Sequence, residues 1–214
     1  MDVTVTDTLS GVQTSIEIAG TIAFALSGVV EAARKKLDAV GVCAVASVAA
    51  FGGGTLRDVL LDRRPLFWIE QSWYLWCVLA LCVTAMLLMR AKHFKPTERT
   101  MQWPDALGLG LFAASGTQIA LNMQMPALIA VLMGVITATF GGVLRDIVCN
   151  EIPVSFKDHR PYALCSVAGG VIYIMLAAVD AEPWFCMTVC ALITVVFRVL
   201  AIWNDWTLPA WRND

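Results

Sequence analysis

Apolar residues in this chain fall into seven long runs, at roughly 16–33, 39–61, 71–90, 104–121, 126–148, 161–179 and 183–203, with polar residues gathered between them. Each run approaches the roughly 20 residues that a helix needs to cross a bilayer. Pro104, Pro126, Pro161 and Pro183 stand near four of the starts, where a missing N–H costs a helix little. The pattern predicts an all-α polytopic membrane protein with seven transmembrane helices, forming a single membrane domain over 1–214. Composition agrees, since 58% of the 214 residues are hydrophobic and 15% charged, against about 25% charged in an ordinary soluble domain. A net charge of −2 leaves no electrostatic footprint for nucleic acid. Residues 1–15 contain no Lys or Arg, so no signal peptide is expected and the first span directs insertion.

The connections set a direction. One side would carry Arg34, Lys35, Lys36, Arg90, Lys92, Lys95, Arg99, Lys157, Arg160 and Arg212, the other only Arg63 and Arg64. Basic residues mark the cytoplasmic side, which places the N-terminus outside and the C-terminus inside, in a plasma (inner) membrane. Trp68, Trp73, Trp76 and Trp184 then group at the outer interface, and Trp103, Trp203, Trp206 and Trp211 at the inner one, as headgroup-level anchors do. The outer connections also hold Asp2, Asp7, Asp62, Glu70, Asp180 and Glu182, which are either solvated loop charges or a cation-concentrating mouth. The seven cysteines include no C-x-x-C and sit in apolar stretches, where they read as small hydrophobes. His93 and His159 fall among basic connection residues. No Cys-His, His-Glu or Ser-Lys grouping suggests an enzyme, and no cofactor is expected.

The chain repeats itself. "FGGGTLRDVLL" at 51–61 returns as "TFGGVLRDIVC" at 139–149. A shift of 88 places Gly20 on Gly108, Phe24 on Phe112, Ser27-Gly28 on Ser115-Gly116, Gly53-Gly54 on Gly141-Gly142, Leu56-Arg57-Asp58 on Leu144-Arg145-Asp146, Pro65 on Pro153 and Tyr74 on Tyr162. Repeat one covers about 16–90, repeat two about 104–179, and helix seven, about 183–203, is left over. With three spans in each, the second copy enters the membrane from the opposite side, giving inverted repeats.

Glycine inside a helix costs about 1 kcal/mol relative to Ala. The runs Gly52-Gly53-Gly54 and Gly141-Gly142 therefore predict weak points, where helices two and five kink and free backbone carbonyls near the midplane. Irregular backbone at that depth lines protein or a watery path, whereas the plainer role of such glycines is close helix packing. Arg57, Asp58, Arg145 and Asp146 are intramembrane charges, which normally face protein or water. Neighbours on a helix do not face each other, so Arg57 and Asp58 are expected to seek partners elsewhere. Two separate clusters result, one toward each face, on the order of 20 Å apart by helix rise. Snorkelling to the interface is the alternative for these arginines and the expected fate of Arg198. Ser27, Ser115, Thr117, Gln118 and Thr139 are the polar candidates for lining a path.

With the two Gly-Gly-x-Leu-Arg-Asp motifs and the seventh span in view, the chain resembles the trimeric intracellular cation (TRIC) channel family over about 16–203. The resemblance implies homotrimers with one pore per subunit for monovalent K⁺ or Na⁺. Helices two and five would kink at Gly52, Gly53, Gly54, Gly141 and Gly142 and line the pore with helices one and four. The permeant ion would pass backbone carbonyls near Gly141 and Gly142, a transient K⁺ or Na⁺ site rather than a resident metal. Membrane lipids and further copies of the chain are the implied partners. The chain lacks the Lys-Glu-Val motif of animal members in its fourth span, and is thus similar to prokaryotic ones. The alternative is a secondary transporter of glycine or another small zwitterion, with Arg57 or Arg145 holding its carboxylate. A scaffold without a pathway would leave the intramembrane charges unexplained.

Overall fold

Helix ends are set locally and in duplicate. Asp38 and Thr97 cap two helices, their side chains accepting the N–H groups of Gly41 at 2.7 Å and Thr100 at 3.2 Å. Lys36, Asp62, Gln124 and Asn150 take the left-handed conformation just past four helix ends. There Leu37, Arg63, Met125 and Glu151 donate back to the carbonyls of Ala32, Asp58, Ala120 and Asp146, closing the last turn as a left-handed residue allows. These stops pair up under the 88-residue shift: 36 with 124, and 62 with 150.

The structure, a computed structural model, describes residues 3–91, 96–157 and 160–209. Among them run α1 (Val3–Arg34), α2 (Ala39–Leu60), the one-turn α3 (Phe67–Glu70), α4 (Trp73–Ala91), α5 (Glu98–Asn122), α6 (Ala127–Val148), the one-turn α7 (Val154–Lys157), α8 (Ala163–Ala177) and α9 (Pro183–Trp203). The seven long helices answer to the seven apolar runs. Four stretches, Gly11–Arg34, Ala39–Leu60, Ala127–Val148 and Pro183–Trp203, are long and apolar enough to cross a membrane by length and composition, while Trp73–Met89 and Ala163–Ala177 are shorter apolar helices. Helix α5 has the length, but carries Glu98, Arg99 and Asp105 and starts earlier than expected, so Pro104 lies inside it. Lys92, His93, Lys95, His159, Trp211 and Arg212 lie outside the described residues.

Helices α1, α2, α5 and α6 form the centre. Helix α4 lies against α1 and α2 as α8 lies against α5 and α6, and α9 packs on α5 and α8. The contacts are reciprocal. A Cβ on Gly20 would stand 2.7 Å from the Phe112 ring, and one on Gly108 2.6 Å from the Phe24 ring. The two rings meet at 5.4 Å between centroids. Such i-to-j and j-to-i contact is what a two-fold relation between the halves produces.

The glycine runs contain no break. Helix α2 is continuous through Gly52-Gly53-Gly54 and α6 through Gly141-Gly142, so the carbonyls expected to be freed there stay within helices. A Cβ on Gly53 would overlap the carbonyl oxygen of Thr137, and one on Gly141 that of Ala49. These two positions let α2 and α6 cross backbone against backbone. At these glycines the structure shows close packing rather than an opened backbone.

Gly53→Ala and Gly141→Ala should each destabilise the folded protein by about 1–3 kcal/mol through overpacking. Gly11→Ala, which meets nothing within 4 Å, should leave it unchanged or slightly raised. Melting temperatures in detergent decide this, and wild-type melting for Gly53→Ala would remove the close crossing.

Candidate functional site: two buried arginine clusters

The last turn of α2 presents Arg57 and Asp58 to the inside of the bundle, and the last turn of α6 does the same with Arg145 and Asp146. Each arginine is only 1% exposed. A buried ion costs several kcal/mol unless partners satisfy it, and both arginines find theirs in the same pattern.

In the first cluster Arg57 donates through Nε to Asp58 Oδ1 at 2.8 Å and through Nη1 to Glu17 Oε1 of α1 at 2.9 Å. Ser115 Oγ, from α5, donates to that same Glu17 oxygen at 3.1 Å. The other oxygen of Asp58 accepts the N–H of Phe67 at 2.9 Å, tying α3 to the end of α2. The Phe67 ring lies 5.5 Å from the guanidinium carbon, within cation–π range. A Cβ on Gly54 would strike that ring.

In the second cluster Arg145 donates through Nε to Asp146 Oδ1 at 2.8 Å and through Nη1 to Asp105 Oδ1 of α5 at 2.6 Å. Ser27, from α1, accepts from the same Nη1 and donates to Asp105 Oδ1 at 3.4 Å. Asp146 Oδ2 accepts the N–H of Val154 at 3.0 Å, tying α7 to the end of α6. Tyr162 donates its hydroxyl to Asp105 Oδ2 at 2.8 Å. Gly142 leaves the space: a Cβ there would lie 3.1 Å from the Tyr162 hydroxyl and 3.3 Å from Asp105.

The partners correct the sequence reading in two places. Arg57 and Arg145 do bind their chain neighbours, because an arginine side chain is long enough to bend across the roughly 100° that separates adjacent helix positions. Arg198 does not snorkel. It is 1% exposed, lies over the Tyr162 ring at 4.8 Å and donates to the Pro161 carbonyl at 3.4 Å. The sequence pattern does not single out Glu17 and Asp105. They sit at the margins of their apolar runs, where acids read as loop charges, and a Glu facing an Asp escapes a comparison of identical residues. The shift of 88 that pairs 17 with 105 was the available signal.

The other polar candidates lie elsewhere. Thr117, Thr137 and Thr139 donate to carbonyls four residues back in their own helices. Thr117 and Thr137 pack against Gly134 and Gly116. Gln118 accepts from the Tyr173 hydroxyl and donates to Asn122 at 2.6 Å. Among the described residues no group of three or more His, Cys, Asp or Glu is placed to hold a metal ion.

Each cluster thus sets two carboxylates against one guanidinium. With Arg63 3.9 Å from Asp58, the first has a second, more distant cation. Beside the second lies a cavity of about 40 Å³ lined by Glu31, Arg34, Glu98, Asp146 and Glu151, among others. There Arg34 holds Glu31 at 2.8 Å and approaches Glu151 at 3.7 Å.

A helical bundle with, among the described residues, four helices long and apolar enough to cross a membrane has the architecture of a multi-pass membrane protein. Known proteins are similar to it. A family model described as "Glycine transporter" matches twice, at residues 14–90 and 102–178, two stretches 88 residues apart. The chain is 38% identical to a UPF0126 membrane protein of Vibrio cholerae, over 91% of this chain and 80% of that one. It is 32% identical to the UPF0126 inner membrane protein YadS of Escherichia coli, over 93% and 96%. Its fold matches the TRIC trimeric intracellular cation channel orthologue from Rhodobacter sphaeroides with a TM-score of 0.83 and 32% identity, covering 90% of this chain and 98% of the other. The chain belongs to this TRIC and UPF0126 membrane protein family. Its matches are to channels and membrane proteins, a non-enzyme family.

One difference between the clusters is the hydroxyl donor Tyr162. Tyr162→Phe removes a hydrogen bond to a buried carboxylate and should cost about 1.5–3 kcal/mol. Tyr74→Phe, at the matching place beside Glu17, should cost less than half as much. Equal losses on thermal unfolding would contradict the asymmetry.

Proposed function

We propose that the chain forms a channel for monovalent cations, K⁺ and Na⁺, as a homotrimer with one pore in each subunit lined by α1, α2, α5 and α6. The observation that carries this reading is the pair of buried clusters, the second of which sets Asp105 and Asp146 against the single guanidinium of Arg145, inside a fold matching that of TRIC cation channels. Excess negative charge in a low-dielectric passage favours cations and repels anions. The two arginines act as barriers toward the two faces, Ser27 and Ser115 add hydroxyls within the clusters, and Thr117, Gln118 and Thr139 are further polar groups on α5 and α6. Gly52, Gly53, Gly54, Gly141 and Gly142 serve the pore by letting its helices approach closely.

The second reading, a glycine or zwitterion transporter, has the description of the matching family model in its favour. The geometry weighs against it, because Arg57 and Arg145 each already hold two carboxylates. Neither guanidinium is free for a substrate carboxylate without releasing one of them.

In the membrane the two repeats run in opposite directions, with the N-terminus outside. Contacts between connections support the opposite running of the repeats, and the basic bias of the connections supports the direction. Arg34, the last residue of α1, and Lys35, just after it, meet Glu151, after α6, and Arg160 meets Asp205 at 2.6 Å, all on the side assigned to the cytoplasm. Leu61 packs with Ile119 and Ala120 at the other end. The Arg57 cluster then lies toward the outside and the Arg145 cluster toward the cytoplasm.

Reconstitution in planar bilayers under a KCl gradient should give unitary currents reversing at the cation potential. Arg145→Gln, measured on assembled trimer, should raise open probability or conductance. Saturable glycine uptake without unitary current would favour the transporter. For orientation, in a background free of native cysteines, an impermeant thiol reagent outside whole cells should label Gln71→Cys and spare Thr97→Cys. The opposite pattern reverses the topology.

A further inference from the structure

The two clusters do not belong each to its own repeat. Helix α1 supplies the acid of the first, Glu17, and the serine of the second, Ser27. Helix α5 supplies the acid of the second, Asp105, and the serine of the first, Ser115. In both clusters the serine hydroxyl donates to the same carboxylate oxygen that accepts the guanidinium. Ser27 and Ser115 are both fully buried.

Each of these helices is one rigid piece between its two attachments. Glu17 and Ser27 are ten residues apart on uninterrupted α1, as are Asp105 and Ser115 on α5, about 15 Å at the rise of an α-helix. Between them, Phe24 and Phe112 meet with their planes tilted by 33° and face Gly108 and Gly20. Helices α1 and α5 therefore touch at their centres and reach both clusters. A helix does not stretch, so a movement of α1 that withdraws Glu17 from Arg57 also displaces Ser27 from Arg145.

We infer that Ser27 and Ser115 are positioning residues that join the two clusters into one switch. Each holds the other repeat's carboxylate on its arginine, and the release of either arginine loosens its counterpart. On the channel reading, the barriers toward the two faces then open together rather than as independent gates in series. The coupling itself is a property of the bundle and is measurable whether or not the protein conducts.

The reporter amides are the two N–H groups held by the cluster aspartates, those of Phe67 and Val154. Hydrogen–deuterium exchange is followed in peptides covering 61–70 and 149–157 of the assembled protein. Ser115→Ala, which touches only the first cluster directly, should speed exchange at both Phe67 and Val154, by about fivefold for the loss of one hydrogen bond. Ser27→Ala should do the same from the other end. Acceleration confined to the cluster that the altered serine touches, or none at either amide, overturns the inference. If an alanine variant does not assemble, Ser115→Cys and Ser27→Cys, close in size and weaker as donors, replace it with the same expectation. Bilayer recordings separate this from the functional reading. Absence of cation current in the unaltered protein rejects the channel and leaves the exchange result standing. In a conducting protein, the double alanine variant should open about as often as the more open single variant. A product of the two single effects would mean independent gates.

Discussion

A guanidinium cannot be left alone in an apolar bundle. Its charge persists at any pH a cell meets, so the fold must surround it with partners, carboxylates for Arg57 and Arg145 and a carbonyl and a ring face for Arg198, or expel it to the surface. Much of this structure follows from that demand made twice. Arg57 draws Glu17 from α1, and Arg145 draws Asp105 from α5, so four helices are bound to one another by two guanidinium groups. Asp58 and Asp146 spend their remaining oxygens on the first amides of α3 and α7. The short helices that lead into α4 and α8 are thereby fixed to the ends of α2 and α6.

The glycines make this possible at short range. Where α2 and α6 cross, Gly53 and Gly141 remove the side chains that would hold the backbones apart. Gly142 and Gly54 clear space for the Tyr162 hydroxyl and the Phe67 ring that border the arginines. The motif Gly-Gly-x-Leu-Arg-Asp thus reads as one device: glycines for approach, then a charge pair that the approach encloses. Its cost in helix propensity is offset by packing rather than by an open backbone.

The repeat, the seven long helices and the two separate clusters were legible in the sequence because each rests on local signals: apolar run length, special residues at a fixed offset, and the cost of intramembrane charge. The partners were not. Arg57 finds Glu17 forty residues away, and Glu17 finds Ser115 ninety-eight away, through contacts that only the tertiary packing creates. The glycine runs were ambiguous for a related reason, since the residue that weakens a helix also permits its closest packing. The choice depends on what lies opposite, here the carbonyls of Thr137 and Ala49. Arg198 looked peripheral because it has no repeat counterpart, and only the fold sets it over Tyr162.

Charge pairing at the centre of the bundle is tested most directly by a double-mutant cycle on thermal stability between Arg145→Gln and Asp105→Asn. Removing the arginine alone leaves two buried carboxylates without their cation, a loss on the order of 3–5 kcal/mol for a broken buried pair. Removing Asp105's charge as well relieves that repulsion. The account predicts that the double variant melts above Arg145→Gln, with a coupling of at least about 1 kcal/mol. A double variant whose loss equals the sum of the two single losses would contradict the central role of the pair.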